Sequence, residues 1–425
     1  MKVLVLDAEA KAAPAVVRAL GAAGWQVLAA GADPRAPARR SRYVSARLSH
    51  PHPGLDATAF AAWLDGAVDR HRPDCVLPLT DCSILALHPR RARFAGRTAL
   101  ALPPADAIDV AFDKASVVSL AASLGVEVPQ TWRPAGPAEA AELSRRLAYP
   151  VYVKARRSYR ADGQPSHYAR GRFAHGPADC RAAWAALHDV VPLPLIQEAV
   201  PGPVVSVCGT WDDGRPVCQF CYVARSAWPL SGGQSVWRES VRPGQAPVAD
   251  AERLLESLRW TGPAHVQFIR DERDRRFKLL EINGRFWGSL DAAHSCGVPV
   301  AVTAVQLAMG LHPRPDLRYR TGVRSRCIEG DLKRLFAALF QDRFWSRQAL
   351  HVPRLRQCLL DVSLGFAPTV HQDDWHHDDP LPGVAVMSRA LARAIGFYGR
   401  ARGSGAGAGR VPERSALEQA ASLAP

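Results

Sequence analysis

One stretch limits the fold more than any other, residues 265–289, HVQFIRDERDRRFKLLEINGRFWGS. Two apolar runs, His265 to Arg270 and Phe277 to Ile282, flank the charged turn DERDRR, the pattern of an antiparallel hairpin. Side chains alternate along a strand, so Glu281 and Asn283 share one face and Ile282 takes the other; Gln267 on the partner strand lies across from them. Two or three oxygen ligands at the end of a hairpin suit Mg²⁺, a hard cation that completes its shell with phosphates and water. Arg285, again on that side, is placed to meet a transferred phosphate. An edge hairpin with solvated polar side chains would carry the same E-x-N pattern, so the rest of the chain has to decide between the two.

Around the hairpin the chain divides by pattern. The first hundred residues alternate strand and helix signals: strands at Lys2 to Leu6, Trp25 to Ala30, Cys75 to Leu79 and Thr98 to Leu102, helices at Lys11 to Ala23 and Phe60 to Asp69. This predicts a doubly wound α/β sheet. The segment after the first strand, DAEAKAA, lacks G-x-G-x-x-G, which removes the main support for dinucleotide binding. Thr80-Asp81, after the strand CVLPL, falls where such a sheet exposes residues to substrate. From Asp113 to about residue 310, helices and then mostly antiparallel strands predict an α+β region, with Asp212-Asp213-Gly214 as a hairpin turn. Beyond Leu311 the pattern is mainly helical, and the Gly/Ala/Ser-rich tail from Gly403 is expected to be disordered.

Three further pieces bear on the hairpin. Lys114, in AFDKASVVSL, and Lys154, ending the strand YPVYVK, are isolated lysines suited to act as point charges on phosphates. The strand LIQEAVPG ends in Gln197-Glu198 and a Pro-Gly turn, a suitable hinge for a nucleotide base. In this order and spacing, DK, PVYVK, IQEAVPG and VQF…LLEINGRFWGS resemble the ATP-grasp superfamily over roughly residues 1–310. The nearest branch includes the carbamoyl-phosphate synthase large subunit and many single-chain carboxylate-amine ligases.

The resemblance implies a fold in parts: an N-terminal doubly wound pre-ATP-grasp domain (1–112), a two-subdomain ATP-grasp fold (113–190 and 191–310), a mainly helical C-terminal region (311–402) and a tail (403–425). It implies that Lys114 and Lys154 bind ATP phosphates, that Gln197, Glu198 and the backbone of Ala199 and Val200 hold adenine, and that Gln267, Glu281 and Asn283 bind Mg²⁺, with Mn²⁺ as a substitute. Arg285 would contact the acyl-phosphate transition state. The implied activity is a ligase that phosphorylates a carboxylate and couples it to an amine; phosphotransfer without ligation and a non-catalytic ATP-binding regulator are the alternatives. The segment 155–173, basic and tyrosine-containing where the family often has a small glycine-rich lid, is expected to be mobile through Arg156, Arg157, Arg160, Arg170 and Arg172 until nucleotide or an acidic substrate arrives. The loop LSGGQSVWRESV resembles an active-site loop in which Gly232, Gly233, Ser235 and Arg238 meet substrate or phosphate; a plain hairpin loop is the alternative.

Composition sets the remaining bounds. A formal charge of +14 asks for an anionic partner, and nucleic acid, a membrane surface or phosphorylated substrates would all satisfy it. Composition does not choose among them, though the basic residues show no interleaving with aromatics of the kind that marks a single-strand binding groove, which leaves nucleic acid resting on charge alone. Nine cysteines, an odd number scattered along the chain, point to a reducing compartment, and the absence of an apolar run of membrane length or a signal-like start predicts a cytoplasmic protein without a membrane span. Homo-oligomerisation is left open. Cys218 and Cys221 form one CxxC within a strand-like run and no second pair, so neither metal nor redox use is expected. HQDDWHHDDP, residues 371–380, invites a metal reading; because His376 and His377 are adjacent and cannot share a face, a solvated acidic loop is expected instead.

Overall fold

The computed structural model describes residues 1–159, 171–230, 232–340 and 353–403. Three sheets carry the architecture. The first consists of β1 (Lys2–Val5), β2 (Gln26–Gly31), β3 (Val44–Ser49), β4 (Cys75–Leu77) and β5 (Ala99–Leu100), all parallel in the order β3-β2-β1-β4-β5. The order reverses between β1 and β4, the switch point where doubly wound sheets gather ligands. β3 was not anticipated: VSARLS alternates on a half-exposed edge and lacks the continuous apolar run of its neighbours.

The second sheet holds β6 (Thr131–Trp132), β7 (Val151–Lys154), β8 (Arg172–Ala174) and β9 (Leu195–Glu198) in the order β6-β9-β7-β8. Helices Pro137–Ser144 and Pro177–His188 cover it, with Val151, Val153, Ala183, Trp184 and Ile196 forming its core. β9 pairs with β6 and β7, so the chain leaves this sheet only after Glu198 rather than at residue 190.

The third sheet is built from β10 (Val204–Asp212), β11 (Arg215–Trp228), β12 (Gln234–Ser240), β13 (Gly262–Arg270), β14 (Phe277–Asn283), β15 (Arg324–Arg326) and β16 (Val370–Gln372). Its order is β14-β13-β10-β11-β12-β15-β16. Two short strands from the C-terminal region extend it, so that region is not built of helices alone; three-residue strands leave too little periodicity to read from sequence. Among the described residues, helices Ile328–Phe340, Leu355–Leu364 and Pro380–Gly403 supply its other regular elements, and residues 404–425 of the expected tail lie outside the described residues. Among the described residues no helix is long and apolar enough to cross a membrane.

Both faces of the third sheet are buried, each against a different layer. Val207, Cys221, Val266, Phe268 and Ile282 pack under helices Lys114–Ser123 and Val248–Ser257. On the other face Cys208, Cys218, Phe220 and Tyr222 share one core with β1, β2 and helix Ala13–Ala22 of the first sheet. The N-terminal layer is thus fused to the third sheet by a common apolar core. Cys218 and Cys221, three apart on β11, fall on opposite faces of the sheet, which ends any joint metal or redox role for the CxxC. All nine cysteines are free and buried.

Candidate functional site

The hairpin of β13 and β14 folds with the register its sequence demands. Gln267 pairs with Glu281, and His265 with Asn283. The pairing slips by one residue between Phe268–Leu279 and Gln267–Glu281, leaving Leu280 as a bulge. Its carbonyl accepts a hydrogen bond from Lys154 Nζ at 3.1 Å, so the bulge brings the end of β7 onto the acidic strand. Asn283 Nδ2 donates to Glu281 Oε1 at 2.9 Å, and Arg285 Nη2 donates to Asn283 Oδ1 at 3.4 Å. Carboxylate and amide therefore share one face of β14, and the guanidinium follows just beyond the strand's end.

The two lysines arrive from different elements that one residue ties together. Asp113, almost fully buried, caps helix Lys114–Ser123 by accepting from the amides of Ala115 and Ser116. The same carboxylate accepts from Arg156 Nε at 2.7 Å and Arg157 Nη2 at 3.3 Å, while the Lys114 amide donates to the Arg156 carbonyl at 2.9 Å. The start of the helix is so joined to the chain leaving β7, and Lys114 comes within 3.9 Å of Glu281 Oε2. Arg156 and Arg157 are paired with a buried carboxylate, a partner the sequence did not suggest; Arg172 opens β8, and Arg160 and Arg170 lie outside the described residues.

Electrostatics follow from this crowding. Burial, with the nearby charge of Lys114, lowers the Lys154 ammonium to about 8, against a partial offset from Glu281. Burial pushes Glu281 upward, but Lys114, the Asn283 amide, Lys154 and Arg285 outweigh it and hold the carboxyl below its ordinary range. Glu281 is an ionised carboxylate with Gln267 directly across, and Asn283, which now turns its Nδ2 to that carboxylate and its Oδ1 to Arg285, completes with a half-turn of its amide the hard oxygen donor set that Mg²⁺ takes, so the residues fit that ion.

The N-terminal layer reaches the same cleft at its switch point. Asp7 Oδ2 accepts from the amides of Leu79 and Thr80, each at 3.0 Å, and from Ser83 Oγ at 2.5 Å, fixing the turn after β4. That turn delivers Asp81, whose Oδ1 accepts from Arg285 Nε at 2.6 Å. Asp81, Lys114, Ser158, Tyr159, Glu281 and Asn283 line one cleft. Glu9, one strand end away, was not singled out from sequence. Burial and the charge of Asp7 raise its carboxyl to about 7, and its Oε2 has no hydrogen-bond partner. Its position after β1, within DAE, was the signal available.

Behind Arg285 a polar row crosses the third sheet. Glu281, Gln267, Ser206 and Tyr222 are successive cross-strand neighbours. His265 Nε2 meets Tyr222 Oη and Ser206 Oγ, each at 3.0 Å. Burial first and Arg285 second lower this imidazole to about 3, so it is neutral and Nε2 is free to accept from the two hydroxyls. Sequence reasoning missed this network because its members lie far apart in the chain.

At the end of β9, where the sequence suggested a hinge for a base, Gln197 is buried and donates to Thr131 Oγ1 at 2.8 Å, which makes it a structural link between β9 and β6. Glu198 lies 3.5 Å from both Arg273 and Lys278. The backbones of Ala199 and Val200 hydrogen-bond to no described residue, leaving donors and acceptors for a base edge.

The loop expectation needs correction. Residues 234–240 are strand β12, and Arg238 is 1% exposed, its guanidinium committed to Asp373 and to the carbonyls of Ser235 and Val236. None of those bonds reaches the Lys114–Glu281–Arg285 cluster. Ser235 is buried with its Oγ unpartnered, while Gly232, at φ +102°, and Gly233 form the turn before the strand. A Cβ on Gly232 would stand 3.7 Å from the Tyr152 hydroxyl, so this turn spans the space between the third and second sheets. Asp373→Ala should leave the Arg238 charge buried and unpaired. The expected loss, about 3–5 kcal/mol in urea unfolding, would be matched by no direct change at Lys114 and Lys154.

Residues 191–330 match the family described as "ATP-grasp in the biosynthetic pathway with Ter operon". No curated protein sequence matches the chain. Among solved structures, the ADP complex of purK, N5-carboxyaminoimidazole ribonucleotide synthetase, superposes with a TM-score of 0.61 at 11% identity, over 85% of this chain and 95% of that one. The biotin carboxylase domain of the Hydrogenobacter thermophilus 2-oxoglutarate carboxylase, in complex with MgADP, ADP and bicarbonate, gives 0.59 at 15% identity over 76% and 73%. The L-amino acid ligase from Bacillus licheniformis gives 0.54 at 14% identity over 73% and 75%. At these identities the likeness is one of fold: the chain is similar in architecture to these proteins, and its residues 191–330 match an ATP-grasp family.

Proposed function

We propose that this protein is an ATP- and Mg²⁺-dependent ligase that phosphorylates a small-molecule carboxylate and joins the acyl phosphate to an amine. The observation that carries the reading is the convergence of Lys114, Lys154 and Arg285 around Glu281, from a helix, the second sheet and the loop after β14. Its structural relatives include proteins named as a synthetase, a carboxylase domain and an amino acid ligase, two of them in complex with ADP.

In this mechanism the hinge at Ala199 and Val200 holds adenine, and Lys114 and Lys154 take the phosphates. Gln267, Glu281 and Asn283 would hold Mg²⁺, which supplies charge neutralisation on the phosphates when bound. The carboxylate oxygen attacks the γ-phosphorus, the bond to the β-phosphate oxygen breaks, and ADP leaves. The amine then attacks the acyl carbon, expelling phosphate and losing a proton to give the amide. Arg285, oriented by Asp81, faces the charge on the transferring group. No side-chain nucleophile is needed. ADP release that requires both a carboxylate and an amine tests the reading; release with the carboxylate alone would reduce the protein to a phosphotransferase.

The pH dependence has a definite sign. Between about 8 and the ordinary lysine value of 10.5 the folded, nucleotide-free protein holds fewer protons at Lys154 than the unfolded chain. Its stability therefore rises with pH across that window. A bound phosphate would favour the charged lysine, so MgATP binding near pH 9 should take up a proton and weaken as pH rises. Calorimetry in buffers of different ionisation enthalpy should show this uptake, and Lys154→Arg, which keeps the charge but does not titrate there, should abolish it. Unaltered uptake in the variant would remove Lys154 from the phosphate site.

A further inference from the structure

A second cluster lies away from the nucleotide cleft, where three distant segments meet. Helix Leu290–Ser295 carries Asp291, which is 5% exposed. Its Oδ2 is approached by two imidazoles from the C-terminal segment, His371 Nε2 at 2.5 Å and His376 Nε2 at 2.8 Å. The rings stand at 75° to one another, so their nitrogen edges converge on one point instead of stacking. The three ligand atoms all lie within 4.8 Å of one another. Arg18, from the N-terminal helix, holds the other carboxylate oxygen at 3.1 Å and so fixes the plane in which Oδ2 is presented. His294 follows Asp291 by one helical turn on the same face, and its buried Nε2 has no hydrogen-bond partner.

This arrangement corrects the expectation of a solvated acidic loop. The relevant pair is His371 and His376, not the adjacent His376 and His377, and the acidic residues around them are partly buried. Asp373 pairs with Arg238, and Asp379 accepts from Ser41 Oγ at 2.7 Å and the Arg42 amide at 2.9 Å. Their partners come from residues 18, 41, 42, 238 and 291, which the local sequence could not reveal.

We propose that Asp291, His371 and His376 bind a first-row divalent transition metal, with Zn²⁺ as the best match. Two imidazole nitrogens and one carboxylate oxygen form a borderline donor set that suits Zn²⁺ or Fe²⁺ and is poor for Mg²⁺. A metal there needs its ligands about 2.0–2.2 Å away. The nitrogens would only have to draw back slightly from the oxygen they now contact. The bound ion would clip the C-terminal segment to the helix after the EINGR strand and, through Arg18, to the N-terminal layer. It is separate from the Mg²⁺ donors, which are all oxygen and stand on β13 and β14.

The test uses the full chain, stripped with a chelator and titrated with Zn²⁺ against a chromophoric competitor, and with Co²⁺ followed by its visible spectrum. The parent should take one tight equivalent, show a cobalt d–d band and melt higher with Zn²⁺. His371→Gln with His376→Gln, both on partly exposed side chains, should keep the far-UV dichroism of the parent, lose the band and bind Zn²⁺ at least about 100-fold more weakly. Asp291→Asn serves as a second probe of the same site. A parent that takes no equivalent, or a double variant that binds Zn²⁺ as the parent does, overturns the proposal and leaves the cluster as a hydrogen-bonded latch. MgATP affinity, read in parallel, separates loss of this site from loss of the nucleotide cleft.

Discussion

Glu281→Gln should lower carboxylate-dependent ADP release by about 10²–10³-fold while the protein still melts in one cooperative transition. The substitution keeps the side chain's size and one oxygen but removes the charge that Lys114, Lys154 and Arg285 hold ionised. Under the proposed function that charge is what keeps a divalent ion against the nucleotide. If Glu281 were only a strand residue at the mouth of a cleft, the change would cost within about half a kcal/mol and turnover would persist. Asn283→Ala should act in the same direction more mildly, since a neutral ligand gives less than a carboxylate and Glu281 would lose only its 2.9 Å amide contact. Parent-like rates in a folded Glu281→Gln protein would take away the metal assignment and most of the case for catalysis.

Arg285→Lys should lower kcat by about 10²-fold or more and change the KM for ATP much less. The guanidinium is held at three points: Nε on Asp81, Nη1 on the Phe286 carbonyl at 2.9 Å, and Nη2 on Asn283. A lysine keeps the charge but not the planar fork, so it cannot meet those partners and a transferring phosphoryl group together. Asp81→Asn removes only the positioning charge. It should therefore reproduce part of the loss, about 10-fold, with the same bias toward kcat. If both variants instead raised KM for ATP with kcat intact, Arg285 would belong to ground-state nucleotide binding, and its role at the transition state would be wrong.

These two predictions rest on different amounts of sequence. Glu281, Asn283 and the opposing Gln267 were legible because strand alternation is a local property: once EIN is a strand, its faces follow. The lysines were legible as positions but not as a pair. What brings Lys114 and Lys154 to one carboxylate is the cap at Asp113, its grip on Arg156, and the bulge that turns the Leu280 carbonyl toward β7. Asp81 was legible as a residue at the carboxyl end of the first sheet, yet its partner lies 204 residues away, and no local pattern encodes that distance.

The misreadings have the same origin. Arg238 reads as an active-site arginine in a glycine-containing loop, but β12 inserts it between β11 and β15, where Asp373 neutralises it. HQDDWHHDDP reads as a polar surface loop, since histidines and aspartates alone give no apolar signal to bury. Its environment is decided by Asp291, Arg18 and Ser41 arriving from elsewhere. The sequence by itself determined the strands, their faces and the polar side chains that line one face along the EINGR hairpin, because these depend on backbone periodicity and side-chain chemistry within a few residues. Only the tertiary structure decided which charges are buried, which are paired and which converge, because burial and Coulomb energy depend on neighbours in space rather than in sequence.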